Sequence, residues 1–240
     1  MKYTLTEGTA FPLVEVTLDK GEEIKIEHGS MVYHHGQISL EGKMNSNGKM
    51  NSNGKSGVGG FFSAVGRSMT SGESFYISHA TSNEDGSKIA IAPGTIGAIR
   101  ELVVGKTHWR LNTGVFLACD DTVSYNMVKQ SVGKALFAGT GGLFVMESLG
   151  HGSLLVSSYG DIVELDLDGS KDFIIDNTHV VAWEDSLNYS IEVASGMFGF
   201  KTGEGLVNRF TGSGKVLIQT RNIQSLAGIL SPFMNNGSSN

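Results

Sequence analysis

The chain has 240 residues, a formal net charge of −6 and a pI near 5.6, with lysine and arginine scattered singly rather than gathered on one stretch. That balance excludes the basic face with which nucleic-acid binders displace phosphate counterions, so no nucleic-acid partner is expected. A lone Cys119 excludes an intramolecular disulfide and fits a reducing compartment. Residues 1–20 lack the basic start and apolar run of a signal peptide, and no apolar stretch approaches the ~18–20 residues that span a bilayer; the expected location is the cytoplasm.

Taken along the chain, the elements are strands. In VEVTLDKGEEIKIE, Val14, Val16 and Leu18 alternate with polar residues, Asp19-Lys20-Gly21 marks a turn, and Ile24 and Ile26 resume the alternation. A period of two puts one side chain in a core and the next in water. Residues 42–56 carry GKMNSN twice in succession (Gly42–Asn47 and Gly48–Asn53), a low-complexity insertion too polar to offset its ordering entropy. It reads as a mobile loop. Phe61, Phe62, Val65 and Met69 are spaced for a short helix, matched in the next unit by Val128, Val132 and Leu136. Asp85-Gly86 and Pro93-Gly94 read as turns, and Gly150–Gly152 and Gly212–Gly214 as hairpin tips. Residues 235–240 are polar and read as a frayed tail.

Self-similarity organises these elements. LACDDTVSY (Leu117–Tyr125) recurs as VAWEDSLNY (Val181–Tyr189), and the same spacing pairs Gly105 with Gly169, Trp109 with Phe173 and Leu111 with Ile175. AVGRSM (Ala64–Met69) recurs as SVGKAL (Ser131–Leu136). GSKIAIA from Gly86 returns as GSLLVSS from Gly152 and SGKVLIQ from Ser213, each after a strand-like run. Three units follow, near residues 13–100, 101–164 and 165–228, within a single all-β domain spanning 1–234. Thirty-three glycines, about twice average usage, suit the many tight turns this requires.

Catalytic chemistry finds little support. Gly54-Lys55-Ser56 lies one residue too far from Gly48 for a phosphate loop. None of the seven histidines has a His, Asp or Glu two residues later, the spacing that would aim two metal ligands from one strand face. No Gly-x-Ser-x-Gly elbow exists, and Cys119 takes the slot that Trp183 fills in the next unit, a half-buried strand position. Asp120-Asp121 and Glu184-Asp185 recur at matching positions, which fits a shared turn better than a carboxylate pair built for acid–base work. No catalytic residue, cofactor or metal ligand is assigned. The exception to this plain pattern is a set of aromatics among glycines: Phe61 and Phe62, Phe137, and Phe198 and Phe200. They fit either a core cap or an interface for a partner.

Gly59-Gly60, Val65-Gly66-Arg67 and Gly72-Glu73-Ser74-Phe75, with Ala118–Asp121, Ala182–Asp185, Gly160-Asp161-Ile162 and Gly203–Leu206, resemble the altered-inheritance-of-mitochondria protein 24 family. The likeness covers nearly the whole chain. It implies a β-sandwich akin to the tryptophan RNA-binding attenuation protein, a double-stranded β-helix variant, and brings no catalytic residue with it. The fungal namesake is linked to mitochondrial inner-membrane organisation. The expectation is a non-catalytic, self-associating binding or scaffold protein, a homo-oligomer with a protein or peripheral membrane partner. The alternative is a small-molecule binder or metal-dependent enzyme of the double-stranded β-helix class.

Overall fold

The structure, a computed structural model, describes residues 1–6, 10–44, 76–130, 143–194 and 205–234. It is all-β and sandwich-like. Its strands are β1 (Lys2–Leu5), β2 (Val14–Leu18), β3 (Glu23–Glu27), β4 (Met31–His35), β5 (Ile38–Met44), β6 (Tyr76–Ser82) and β7 (Ser87–Ile91). They continue as β8 (Ile99–Val104), β9 (Trp109–Leu111), β10 (Phe116–Asp120), β11 (Val123–Gln130), β12 (Leu143–Gly150) and β13 (Gly152–Ser157). The last set is β14 (Ile162–Asp168), β15 (Phe173–Asp176), β16 (Val180–Glu184), β17 (Asn188–Val193), β18 (Leu206–Thr211) and β19 (Ser213–Gln219). Helix α1 (Ile223–Met234) follows; it has no charged residue and buries none of its side chains.

One antiparallel pairing diagram recurs three times, over β2–β7, β8–β13 and β14–β19. In each set the first strand pairs with the sixth and the sixth with the third: β2-β7-β4, β8-β13-β10 and β14-β19-β16. The second pairs with the fifth and the fifth with the fourth: β3-β6-β5, β9-β12-β11 and β15-β18-β17. Even the irregularities coincide. Every third strand carries a register shift against the sixth, between Met31 and Tyr33, Phe116 and Ala118, and Val180 and Ala182. A bulge inserts one residue and bends the strand, so its recurrence marks a shared local geometry.

The alternation seen in β2 and β3 is realised: Val14, Val16 and Leu18 are buried, as are Ile24 and Ile26. Gly21 (φ 84°) makes the turn between them, a conformation that only glycine adopts without strain. Residues 42–44 belong to β5, where they pair with Ser78, Ile77 and Tyr76 in turn, so the strand reaches into the segment read as an insertion. The remainder of that segment lies outside the described residues. Val128 lies in strand β11 rather than in a helix, and Phe61–Met69 and residues 131–136 are outside the described residues.

Successive sets share sheets. The second strand of one set pairs with the third strand of the next, β3 with β10 and β9 with β16, so the half-sheets fuse into two six-stranded sheets: β5-β6-β3-β10-β13-β8 and β11-β12-β9-β16-β19-β14. Three apolar cores lie between consecutive sheets. One centres on Val14, Ile24 and Ile89, one on Trp109, Phe116 and Leu154, and one on Trp183, Phe210 and Val216.

Candidate functional site

The two joints between sets share a construction. At the first, Ile26, Lys25 and Ile24 lie opposite Ala118, Cys119 and Asp120; at the second, Leu111, Arg110 and Trp109 lie opposite Ala182, Trp183 and Glu184. In both of these second strands, β3 and β9, the central residue is a cation that reaches over the joint to carbonyls just past the third strand. Lys25 Nζ donates to Asp121 O (2.5 Å) and Val123 O (2.8 Å). Arg110 Nη1 donates to Asp185 O (3.2 Å) and Leu187 O (3.1 Å), while its Nε meets Glu147 Oε1 at 2.9 Å and its guanidinium lies over the Tyr189 ring.

The recurring acidic residues are used inside this frame. Asp120 Oδ2 accepts from Ser153 N (2.7 Å), and Glu184 Oε2 accepts from Lys215 N (3.1 Å), the same amide in successive sets. Gly152 (φ 132°) is what lets the Asp120 carboxylate approach, because a Cβ there would stand 2.6 Å from Asp120 Oδ2. Gly152→Ala is therefore expected to lower stability by about 1–3 kcal/mol, measured by urea denaturation.

The joint is left open at both ends of the series. The third strand of the first set is β4 and the second strand of the last set is β15, and among the described residues each is paired on one side only. Their exposure departs from their counterparts accordingly. All five residues of β4 are exposed, whereas β10 and β16 are buried over their first four; Val32 is 54% exposed against 0% for Leu117 and Val181. On β15, Phe173 is 42% exposed against 1% for Ile24 and 7% for Trp109, and Ile174 stands where the other joints hold Lys25 and Arg110.

Other chemistry is sparse. Burial pushes the Cys119 thiol up to about 12, which keeps it protonated and unreactive. Among the described residues no group of three or more His, Cys, Asp or Glu side chains could hold a metal ion. A cavity of about 410 Å³ lies beside the start of α1, lined by neutral polar groups including Asn112, Asn177, Thr178 and Gln219. Asn112 Nδ2 donates to Asn177 O (2.7 Å), and Asn177 Oδ1 is buried without a partner among the described residues.

Burial raises the Glu27 carboxyl to about 7. A raised carboxyl pKa means that the unfolded chain releases its proton first. The folded state thus loses stability as pH rises from about 4.5 to about 7 and keeps that deficit above it. Thermal melts across this window are expected to fall with pH, and Glu27→Gln to flatten that part of the slope.

Phe61, Phe62, Phe137, Phe198 and Phe200 all lie outside the described residues. The open edges, built from MVYH and FII, went unremarked in the sequence. Their signal is the pairing of Trp109 with Phe173 and Leu111 with Ile175, which places a second strand at β15 but does not show that it is paired on one side only among the described residues.

An uncharacterised protein of Streptococcus pyogenes serotype M6 is 44% identical over 235 residues, covering 98% of this chain and 91% of its own. The crystal structure of a Streptococcus pyogenes protein superposes with a TM-score of 0.78 at 42% identity, over 97% of this chain and 99% of the other. The family model described as mitochondrial biogenesis AIM24 matches residues 3–221, and the chain belongs to that family.

Proposed function

We propose that this protein is a non-catalytic binding or scaffold protein that works as a self-associated assembly. One observation carries the reading: a sheet-sharing joint made twice within the chain and, among the described residues, left open with apolar residues exposed at both ends. Soluble proteins blunt unpaired edges with charge, proline or cover, because bare ones recruit further strands. The inert Cys119 and the structural use of Asp120 and Glu184 support the non-catalytic half of the reading. Among the described residues no helix is long and apolar enough to cross a membrane.

Sedimentation velocity over a hundredfold concentration range tests this. The expected result is species larger than 25.5 kDa whose share grows with concentration. A single 25.5 kDa species throughout would reject it. A second reading, a small-molecule binder, rests on the polar cavity with its unpaired Asn177 Oδ1. It predicts that a neutral, hydrogen-bonding ligand raises the melting temperature and that Asn112→Ala removes the rise.

A further inference from the structure

We infer that copies of this chain join head to tail, β15 of one pairing antiparallel with β4 of the next, in the register Ile175 opposite Tyr33, Ile174 opposite His34 and Phe173 opposite His35. The inference rests on the self-association reading and specifies its interface.

The register follows from the internal joints. Tyr33, Ala118 and Ala182 are the residues immediately after the bulge in their third strands. Ile26, Leu111 and Ile175 are equivalent in their second strands, and the first two lie opposite Ala118 and Ala182. Continuing that rule places Ile175 opposite Tyr33 of a second copy. The resulting sheet would run β17-β18-β15 and then the second copy's β4-β7-β2, the strand order of both six-stranded sheets, with β1 added beyond β2.

Three observations separate this pair of edges from ordinary sheet margins. Fourth strands β5, β11 and β17 are edges in every set, and first strands β8 and β14 are edges too, so an unpaired margin there belongs to the architecture. The second and third positions are interior wherever a neighbouring set exists. The other margins, β1 included, each contain Lys, Arg, Glu or Asp within the strand, the usual defence against strand addition. Strand β4 contains none of these, and the only one in β15, Asp176, is turned to the Thr178 amide at 2.8 Å. The two surfaces differ from one another, so the contact is heterologous and generates a ring or an open fibre rather than a two-fold dimer.

The internal joints also predict a gain. Ile174 replaces the cation that Lys25 and Arg110 supply, and the carbonyls matching Asp121 O and Val123 O are those of Gly36 and Ile38. Ile174→Arg should restore that contact between copies and tighten association about tenfold or more, while Ile174→Asp should weaken it by a similar factor.

Cysteine pairing under mild oxidation tests the register, because cross-strand neighbours stand at Cα separations a disulfide accepts. An equimolar mixture of the single variants Ile174→Cys and His34→Cys should give a covalent heterodimer, neither variant alone should give a dimer, and the double variant should give a ladder of multimers. Wild type, with Cys119 buried, should stay uncrosslinked. Dimers from either single variant would overturn the head-to-tail register. So would a double variant that closes its disulfide within one chain, which would mean the chain completes its own third sheet. A wild type that associates while the mixture fails to crosslink overturns the edge assignment but leaves self-association standing. A monomeric wild type overturns both.

Discussion

Trp183→Ala is expected to destabilise the protein by about 3–5 kcal/mol, as large-to-small changes of fully buried aromatics do. Trp183 is completely buried in the third core and packs edge-on against Tyr189 and Phe210, with ring centroids 4.8 and 5.6 Å away. Truncation would leave a cavity where β16 joins two sets and would remove both aromatic contacts. Trp183 Nε1 has no hydrogen-bond partner among the described residues, so Trp183→Phe, which deletes that group and retains most of the ring, should cost markedly less. Equilibrium urea unfolding of the two variants measures the difference. Equal losses would show that packing around the ring is not what Trp183 supplies.

Val32→Asp is expected to abolish association while leaving the fold intact. The side chain is more than half exposed in the single chain, so surface rules apply and the stability change should stay within about ±0.5 kcal/mol. In a continuous sheet the same position, occupied by Leu117 and Val181 in the internal joints, is fully buried, and an unpaired carboxylate there would be expelled. The measurement is paired: circular dichroism melting for the fold and sedimentation for the assembly. Val32→Asp that melts like wild type yet sediments as a single chain is the expected outcome. A variant that unfolds would instead place Val32 in the core of its own chain.

The fold was legible where local pattern and repetition agreed. Alternation in VEVTL and EIKIE placed β2 and β3 with their buried faces. The glycines at Gly150–Gly152 and Gly212–Gly214 do turn the chain, with positive φ at Gly150, Gly152, Gly212 and Gly214, but they are not hairpin tips: β12 and β13, like β18 and β19, lie in different sheets, so each turn carries the chain from one sheet to the next. The repeated acidic pairs were read as architecture, and Asp120 and Glu184 indeed bind equivalent backbone amides. Sheet sharing was not legible. Nothing in EIKIE or WRL distinguishes a strand paired within its own set from one that also joins the next, because backbone pairing on both sides leaves no trace in a period of two. The reach of these cations over the joint was hidden for a related reason: Lys25 and Arg110 look like ordinary solvent-facing charges until the turn after the third strand is folded over them. MVYHH likewise reads as a strand with an apolar start, and only its counterparts FLACD and VVAWE, buried over four positions, show that it has no second neighbour among the described residues.

Amide hydrogen exchange at Val32–His35 and Phe173–Ile175, followed from dilute to concentrated protein, tests most directly whether the open joint is filled by another copy. The prediction is protection that rises with concentration at both strands together, towards the level of β10 and β9. Exchange at either strand that stays fast at every concentration, or protection that is high and independent of concentration, would contradict it.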